Sequence, residues 1–106
     1  MSARDRLALT ETKERLGEEQ GWLCYVCEKP IKLDTCHFAH ILPQDKVHMR
    51  RYGKDVIHHR TNGRLTCGLK CNRKVQINYV GHPIAADEQA ERILQAIYEE
   101  TRDARD

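Results

Sequence analysis

The spacing of apolar residues along the chain predicts a helix at each end. Residues 3–20 are rich in Glu, Lys, Arg and Leu, which favour helix, and Gly21 then supplies a stop. Near the other end, apolar residues recur every three or four positions, which is the period of a helix. This second helix is placed within residues 84–106, with Asp87 as its N-cap. The residues that share its apolar face are Ala90, Ile93, Leu94, Ile97 and Tyr98.

Shorter elements are predicted in the first half of the central region. Residues 22–27 are apolar and predict a strand that enters a tight turn. Residues 35–42 predict a short strand, which Pro43 ends because proline cannot donate to a strand ladder. Residues 44–58 are highly charged and predict an irregular loop.

The second half of the central region begins with a turn at Asn62-Gly63. Residues 64–66 then predict a second strand of the domain core, and residues 68–79 predict a helix. A chain of 106 residues of this kind predicts one small α+β domain. Its expected parts are an N-terminal helix in residues 1–21, a core in residues 22–80 and a C-terminal helix in residues 84–106.

The cysteines indicate that this small domain holds a metal. Five cysteines are present, and an odd number argues against a framework in which every cysteine forms a disulfide. Four of them form two short pairs, whose spacing is typical of a tetrahedral zinc site. Four thiolates leave zinc no open position, so this site is expected to be structural and to supplement a modest core. The pairs are Cys24 with Cys27 and Cys67 with Cys71.

Two other interpretations of the cysteines stay open. Cys24 and Cys27 can form a redox pair, although the strand and helix expected around such a pair are missing. Cys36 is expected to be a small buried residue, with an alternative zinc ligand as the second interpretation. Reduced thiols favour a cytoplasmic protein. The chain shows no signal peptide after its first residues and no stretch that would span a membrane, so no membrane association is expected.

Charge is concentrated in the part of the chain that holds the cysteines and histidines. The net charge is +2, yet the segment from Lys29 to His82 has eleven basic and three acidic residues, a net of +8. This distribution favours a polyanionic partner such as nucleic acid, and a solvated basic surface is the alternative. The residues predicted to contact phosphates are Arg50, Arg51, Arg60, Arg73 and Lys74.

Histidine and asparagine residues between the cysteine pairs suit phosphodiester cleavage. Cleavage needs a base that activates water and a cation that stabilises the developing charge, and neutral histidine is the natural base near pH 7. Three segments carry this pattern, and they are His40-Ile41-Leu42-Pro43, Asn62-Gly63-Arg64-Leu65-Thr66-Cys67 and Cys71-Asn72-Arg73-Lys74. Together with the cysteine pairs, they resemble the HNH endonucleases, also called ββα-metal or His-Me finger nucleases, over about half of the chain, residues 24–74.

The resemblance implies a ββα-metal finger stapled by a structural zinc, and it assigns three roles. His40 matches the general base and Asn62 the residue that keeps the base in orientation. Asn72 matches a ligand of one catalytic divalent ion, Mg²⁺ or Mn²⁺. The family usually has a second ligand directly before the base, but this chain has Ala39, which cannot coordinate. The candidates to replace it are His37, for which the strand predicted at residues 35–42 would need a bulge, and His58 and His59.

The function that the resemblance implies is a metal-dependent DNA endonuclease whose single active site nicks one strand of a duplex. Similar small nucleases are cytoplasmic bacterial or phage proteins, and a monomer or a homodimer is expected. The alternative is a non-catalytic zinc-binding module that grips nucleic acid and whose nuclease site has decayed. Ala39 favours this alternative. His48 and His82 are interpreted as ordinary surface histidines.

Overall fold

The first helix ends at a glycine, as its sequence predicts. The computed structural model describes residues 3–105, apart from the side chains of residues 5 and 103–105, and α1 spans Ala3–Gln20. Gly21 follows with a φ of 66°, a left-handed conformation that favours glycine. The Trp22 ring covers Gly17, where a Cβ atom would lie 2.4 Å from the ring. Only glycine fits there, so the ring fixes where the chain leaves the helix.

The remaining elements are short, except for the last helix. They are β1 (His37–His40), α2 (Lys46–Tyr52), α3 (Lys54–Ile57), a 3-10 turn (Arg60–Asn62), β2 (Gly63–Thr66), α4 (Leu69–Val75) and α5 (Pro83–Arg105). The two strands pair in one sheet. The prediction of a small α+β fold is confirmed. Among residues 3–105, no helix has the length and apolar composition needed to cross a bilayer.

The described chain divides into two compact units. The first consists of the residues up to Ala39 together with Gly63–Val75, and the second of His40–Asn62 together with the residues from Gln76 onward. The chain therefore passes from the first unit into the second at the last residue of β1, and it returns at the first residue of β2.

The first unit joins α1 to β2 through a glutamine side chain. Gln20 accepts a hydrogen bond from the Leu65 backbone N–H at 2.8 Å and donates one to the Leu65 carbonyl at 3.0 Å. These two bonds occupy the backbone groups of β2 as a neighbouring strand would. The buried core of this unit includes two of the four paired cysteines. Its members are Leu16, Cys24, Ile31, Cys36, Leu65 and Cys71.

The second unit has its core under α5. The apolar face predicted for this helix is confirmed at Ala90 and Ile93, which are buried. Leu94 and Tyr98 are instead 54% and 61% exposed, because the buried face is turned toward Ala86. The buried residues of this core are Leu42, Val56, Ile57, Ala86, Ala90 and Ile93.

The prediction that Asp87 caps α5 is wrong. The helix begins at Pro83, whose missing N–H costs nothing in the first turn. Asp87 lies inside the helix, where its carboxylate accepts hydrogen bonds from the Arg51 guanidinium and from the Tyr52 hydroxyl at 2.7 Å. The side chain therefore ties α5 to α2 within the second unit.

The prediction of an irregular loop at residues 44–58 is also wrong, because two short helices form there. The Asp45 side chain accepts a hydrogen bond from the His48 backbone N–H at 2.9 Å and so caps α2. Gly53, with a φ of 83°, separates α2 from α3. Helices of seven and four residues are too short to show a clear apolar period.

Three other elements predicted in the central region differ from the structure. The strand predicted at residues 22–27 is wrong, since only Leu23 makes a bridge, to Pro30. The chain turns back instead, with the Glu28 N–H bonded to the Cys24 carbonyl at 3.0 Å. The strand at residues 35–42 and the helix at residues 68–79 are confirmed as the shorter β1 and α4.

His48 is buried, so its interpretation as a surface histidine is wrong. Its side chain is 1% exposed, and Nδ1 lies 2.6 Å from the Asp45 carboxylate. Nε2 accepts a hydrogen bond from the Tyr79 backbone N–H at 3.0 Å. Because Nε2 accepts, the ring hydrogen of the neutral form is on Nδ1 and is donated to Asp45. His48 thus links α2 to the segment before α5.

We expect His48→Ala to lower the free energy of unfolding by about 1–3 kcal/mol, since it removes a buried side chain and both of its hydrogen bonds. Urea unfolding followed by circular dichroism measures this. The matched control is His82→Ala, an exposed histidine whose loss is expected to change stability by less than about 0.5 kcal/mol. Equal unfolding midpoints for the two variants would contradict the assigned link.

Candidate metal centre and histidine site

Four cysteine side chains meet at one point in the first unit. Their sulfur atoms all lie within 4.8 Å of one another. The Cys27 and Cys67 sulfurs are 3.5 Å apart, and the Cys67 and Cys71 sulfurs are 3.7 Å apart. Zinc–sulfur bonds of about 2.3 Å in a tetrahedron place the sulfurs about 3.8 Å apart. The cluster therefore has the size that a bound metal ion requires.

Local electrostatics make the four thiols unequal. Burial opposes the charged form of Cys24, but backbone N–H groups outweigh it and lower the pKa of this thiol to about 6; they belong to Cys27, Val26 and Cys67. Burial, followed by the neighbouring thiol of Cys67, raises the pKa of Cys71 to about 12. One sulfur thus ionises readily, whereas thiolates at all four positions need a cation among them.

The donor set fits a metal ion such as zinc. Thiolate sulfur is a soft ligand that favours zinc over hard ions such as Mg²⁺, and four such ligands complete a tetrahedral shell. Cys36 is buried, as expected, and its sulfur contacts the Leu33 carbonyl at 3.6 Å. It does not belong to the one group of potential metal ligands found among the described residues.

Asn62 is fully buried in the second unit and joins two segments of the chain. Its Oδ1 accepts a hydrogen bond from the Leu42 N–H at 2.8 Å. Its Nδ2 donates to the Leu42 carbonyl at 3.0 Å and to the Ile57 carbonyl at 2.8 Å. The amide therefore fixes the backbone just after His40 against the backbone just before His58.

His40 lies against His58 in the second unit. The ring centroids are 5.8 Å apart, with an angle of 81° between the ring planes. Burial, followed by repulsion from charge on His58, lowers the pKa of His40 below the ordinary value of about 6.5. His40 is therefore neutral near pH 7, the form in which an imidazole accepts a proton. His58 is exposed.

His59 has both ring nitrogens engaged within the second unit. Nδ1 accepts a hydrogen bond from the Thr61 backbone N–H at 3.1 Å. Nε2 lies 3.2 Å from both carboxylate oxygens of Glu100. The side chain is thus bound to Glu100 of α5. It would have to give up one of these contacts to become a ligand of a catalytic ion.

The other two predicted ligands of the catalytic ion belong to the first unit. His37 is exposed at the start of β1. The side-chain oxygen of Asn72, which would be the ligand atom, accepts a hydrogen bond from the Thr66 hydroxyl. Their role as ligands stays a prediction from the sequence.

Two of the five predicted phosphate contacts are paired inside the protein. Arg51 donates to the Asp87 carboxylate at 3.0 and 3.1 Å, and its guanidinium carbon lies 3.8 Å from the Tyr79 ring centroid. Arg60 donates to Glu100. These arginines are the main reason why the pKa values of Asp87 and Glu100 lie below the usual range of a carboxyl group. The other three predicted phosphate contacts are exposed; they are Arg50, Arg73 and Lys74.

Comparison with known proteins does not identify a family. No protein-family model, no curated protein and no solved structure matches the chain significantly.

His58 was a candidate ligand at the site of His40, but their direct ring contact has no signal in the spacing along the chain. The contact depends on the hydrogen bonds of Asn62 to both segments. The helix that holds His48 did have a signal in the sequence. Asp45 is a typical N-cap residue, whose side chain accepts a hydrogen bond from the backbone N–H three residues later.

We expect Cys67→Ser to lower the zinc content of purified protein well below one equivalent and to unfold the first unit, because the serine hydroxyl is a poor substitute for a thiolate. Elemental analysis and circular dichroism measure the two effects. Cys36→Ala is the matched control, since it removes a buried cysteine outside the cluster and should keep one equivalent of zinc. A folded Cys67→Ser protein with full zinc content would contradict the assignment.

Proposed function

We propose that the protein is a metal-dependent DNA endonuclease of the HNH type, built on a frame that a structural zinc stabilises. His40 activates the attacking water, and the four clustered cysteines hold the zinc. The observation that carries the proposal is the state of His40: it is half-buried, its pKa is below the ordinary value, and Asn62 fixes the adjoining backbone.

A histidine that activates water must meet two requirements, and the surroundings of His40 favour both. It must be neutral at the working pH so that it can remove a proton from water, and it must be held still so that the water lies in line with the phosphorus atom. The low pKa meets the first requirement. The buried amide of Asn62 supports the second, because its hydrogen bonds fix the backbone at Leu42, two residues after His40.

A divalent cation would supply charge stabilisation at the phosphate. Asn72 stays its predicted ligand from the sequence. The exposed side chains of Arg50, Arg73 and Lys74 suit contacts with the phosphates of the DNA backbone, which position the substrate without selecting a base sequence. Arg51 and Arg60 are less suited to this role, because each is already paired with a carboxylate.

One observation favours a binding module without catalysis. Ala39 is 3% exposed, so the position where the family usually supplies a second ligand holds a buried methyl group. A protein of this second kind would bind nucleic acid through its basic surface and would not depend on His40. The nuclease and the binding module therefore predict different effects of removing the His40 imidazole.

We expect the protein to nick supercoiled plasmid in the presence of Mg²⁺ or Mn²⁺ and to lose at least about 100-fold of this rate in His40→Ala, the range typical of a lost general base. Gel electrophoresis measures the conversion to open-circular DNA, and EDTA should abolish it. His82→Ala is the control for removing an exposed histidine. Plasmid that is bound but never cut would favour the binding module, and full activity of His40→Ala would remove the proposed base.

The pH dependence of cleavage should reflect His40. A pKa below about 6.5 keeps the base neutral at more acidic pH than an ordinary histidine would allow. The loss of cleavage rate on the acidic side of the pH profile, measured at low substrate concentration, should therefore have its midpoint below pH 6.5. An acidic-side midpoint above pH 6.5 would contradict the role of His40 as the group that must lose its proton.

A further inference from the structure

Phosphodiester hydrolysis needs a second proton transfer, which His40 does not provide. When the bond between phosphorus and the leaving oxygen breaks, that oxygen becomes an alkoxide unless it receives a proton or contacts a cation. In this chain the position for one of the family's metal ligands is the buried Ala39. Stabilisation of the leaving oxygen is thus the part of the reaction for which another group is required.

We propose that His58 is a second catalytic residue, which donates a proton to the leaving oxygen of the scissile phosphodiester while His40 accepts the proton of the attacking water. This inference rests on the proposed nuclease function and names the acid of the same site. The geometry that carries it is the ring contact, with centroids 5.8 Å apart and planes at 81°.

The position of His58 is set by the fold. His58 is the residue that ends α3, and its backbone N–H bonds to the Lys54 carbonyl at 2.9 Å. The preceding carbonyl, of Ile57, accepts from the same Asn62 amide that holds Leu42, two residues after His40. One buried side chain therefore positions both histidines relative to each other.

The two histidines differ in exposure in the way that a base and an acid require. His40 is half-buried, and burial disfavours its protonated form. His58 is exposed, so both solvent and a substrate can reach its ring.

A substrate can reach His58 from solvent. The residue lines an open groove of about 460 Å³ in the second unit. Lys54 lies in the same groove and supplies a positive contact for a phosphate, and His59 also lines it, whereas Asp55 and Glu100 are acidic. Glu100 is bound by Arg60 and His59, which offsets its charge. The other lining residue is Ile97.

The proposed step balances in atoms and charge. Water adds to phosphorus through its oxygen and gives one proton to His40, and the bond between phosphorus and the leaving oxygen breaks. His58 in its protonated form gives its proton to that oxygen. The products are a phosphate monoester and an alcohol, with His40 protonated and His58 neutral. Proton exchange with solvent then restores the starting state.

Substrates with a bridging sulfur test the role of His58 directly. In a duplex that carries sulfur in place of the bridging 3′ or 5′ oxygen at one bond, the leaving group is a thiolate, which needs no proton because its conjugate acid has a pKa of about 8.5. Wild type, His58→Ala, His40→Ala and the control His82→Ala would be assayed with Mn²⁺ on the oxygen substrate and on both sulfur substrates. The sulfur position that speeds wild-type cleavage identifies the leaving atom.

His58→Ala should cut the oxygen substrate about 100-fold more slowly than wild type and the sulfur substrate at nearly the wild-type rate, because only the first needs the acid. His40→Ala should be slow on both, since water activation is required in either case. His82→Ala should match wild type throughout.

Four results would overturn the inference. Wild-type activity of His58→Ala on the oxygen substrate would show that His58 has no catalytic role. Equal slowing on both substrates, or recovery when the Mn²⁺ concentration is raised, would make His58 a positioning residue or a metal ligand. In each of these His58→Ala outcomes, cleavage that depends on His40 would still support the nuclease function. A wild-type protein that cuts neither substrate would instead remove the nuclease function itself.

Discussion

The four sulfur atoms within 4.8 Å of one another are the constraint on which the first unit depends. Thiolates at such distances repel each other unless a cation lies among them, so metal binding at this cluster would be coupled to folding. Two of its members, Cys24 and Cys71, are also core residues. The remaining core is small, and a bound metal ion would cross-link the turn after α1 to the segment from β2 to α4. The same turn is held by the packing of Trp22 on Gly17 and by the Gln20 side chain, which donates a hydrogen bond to the Leu23 carbonyl.

In the second unit, the corresponding organising contact is the buried amide of Asn62. It replaces a strand partner for the chain after β1 and, through Ile57, fixes the end of α3. Because all of its polar atoms bond to backbone, their cost of burial is offset and the arrangement is specific. A neutral His40 and an exposed His58 are brought together as a consequence. The proposed chemistry thus depends on backbone geometry that one side chain maintains.

The sequence predicted the features with local signals. The ends of α1, the buried residues Ala90 and Ile93, and the convergence of the cysteine pairs follow from propensity, period and spacing, which neighbouring residues determine. The two helices within residues 44–58 were missed because they are too short to show a period. The burial of His48 and its contact with Tyr79, like the contact between His40 and His58, depend on hydrogen bonds between distant segments. No local pattern encodes such contacts.

We propose that DNA hydrolysis by this chain depends on a water molecule that His40 activates. The most direct test is single-turnover cleavage of a defined duplex in ¹⁸O-labelled water by zinc-loaded protein with Mn²⁺, followed by mass spectrometry of the two new ends. Hydrolysis with His40 as the base would place one ¹⁸O atom in the new phosphate end and none in the new hydroxyl end, with no such product from His40→Ala. An absence of cleavage, a product phosphate without the label, or the same labelled product from His40→Ala would contradict it.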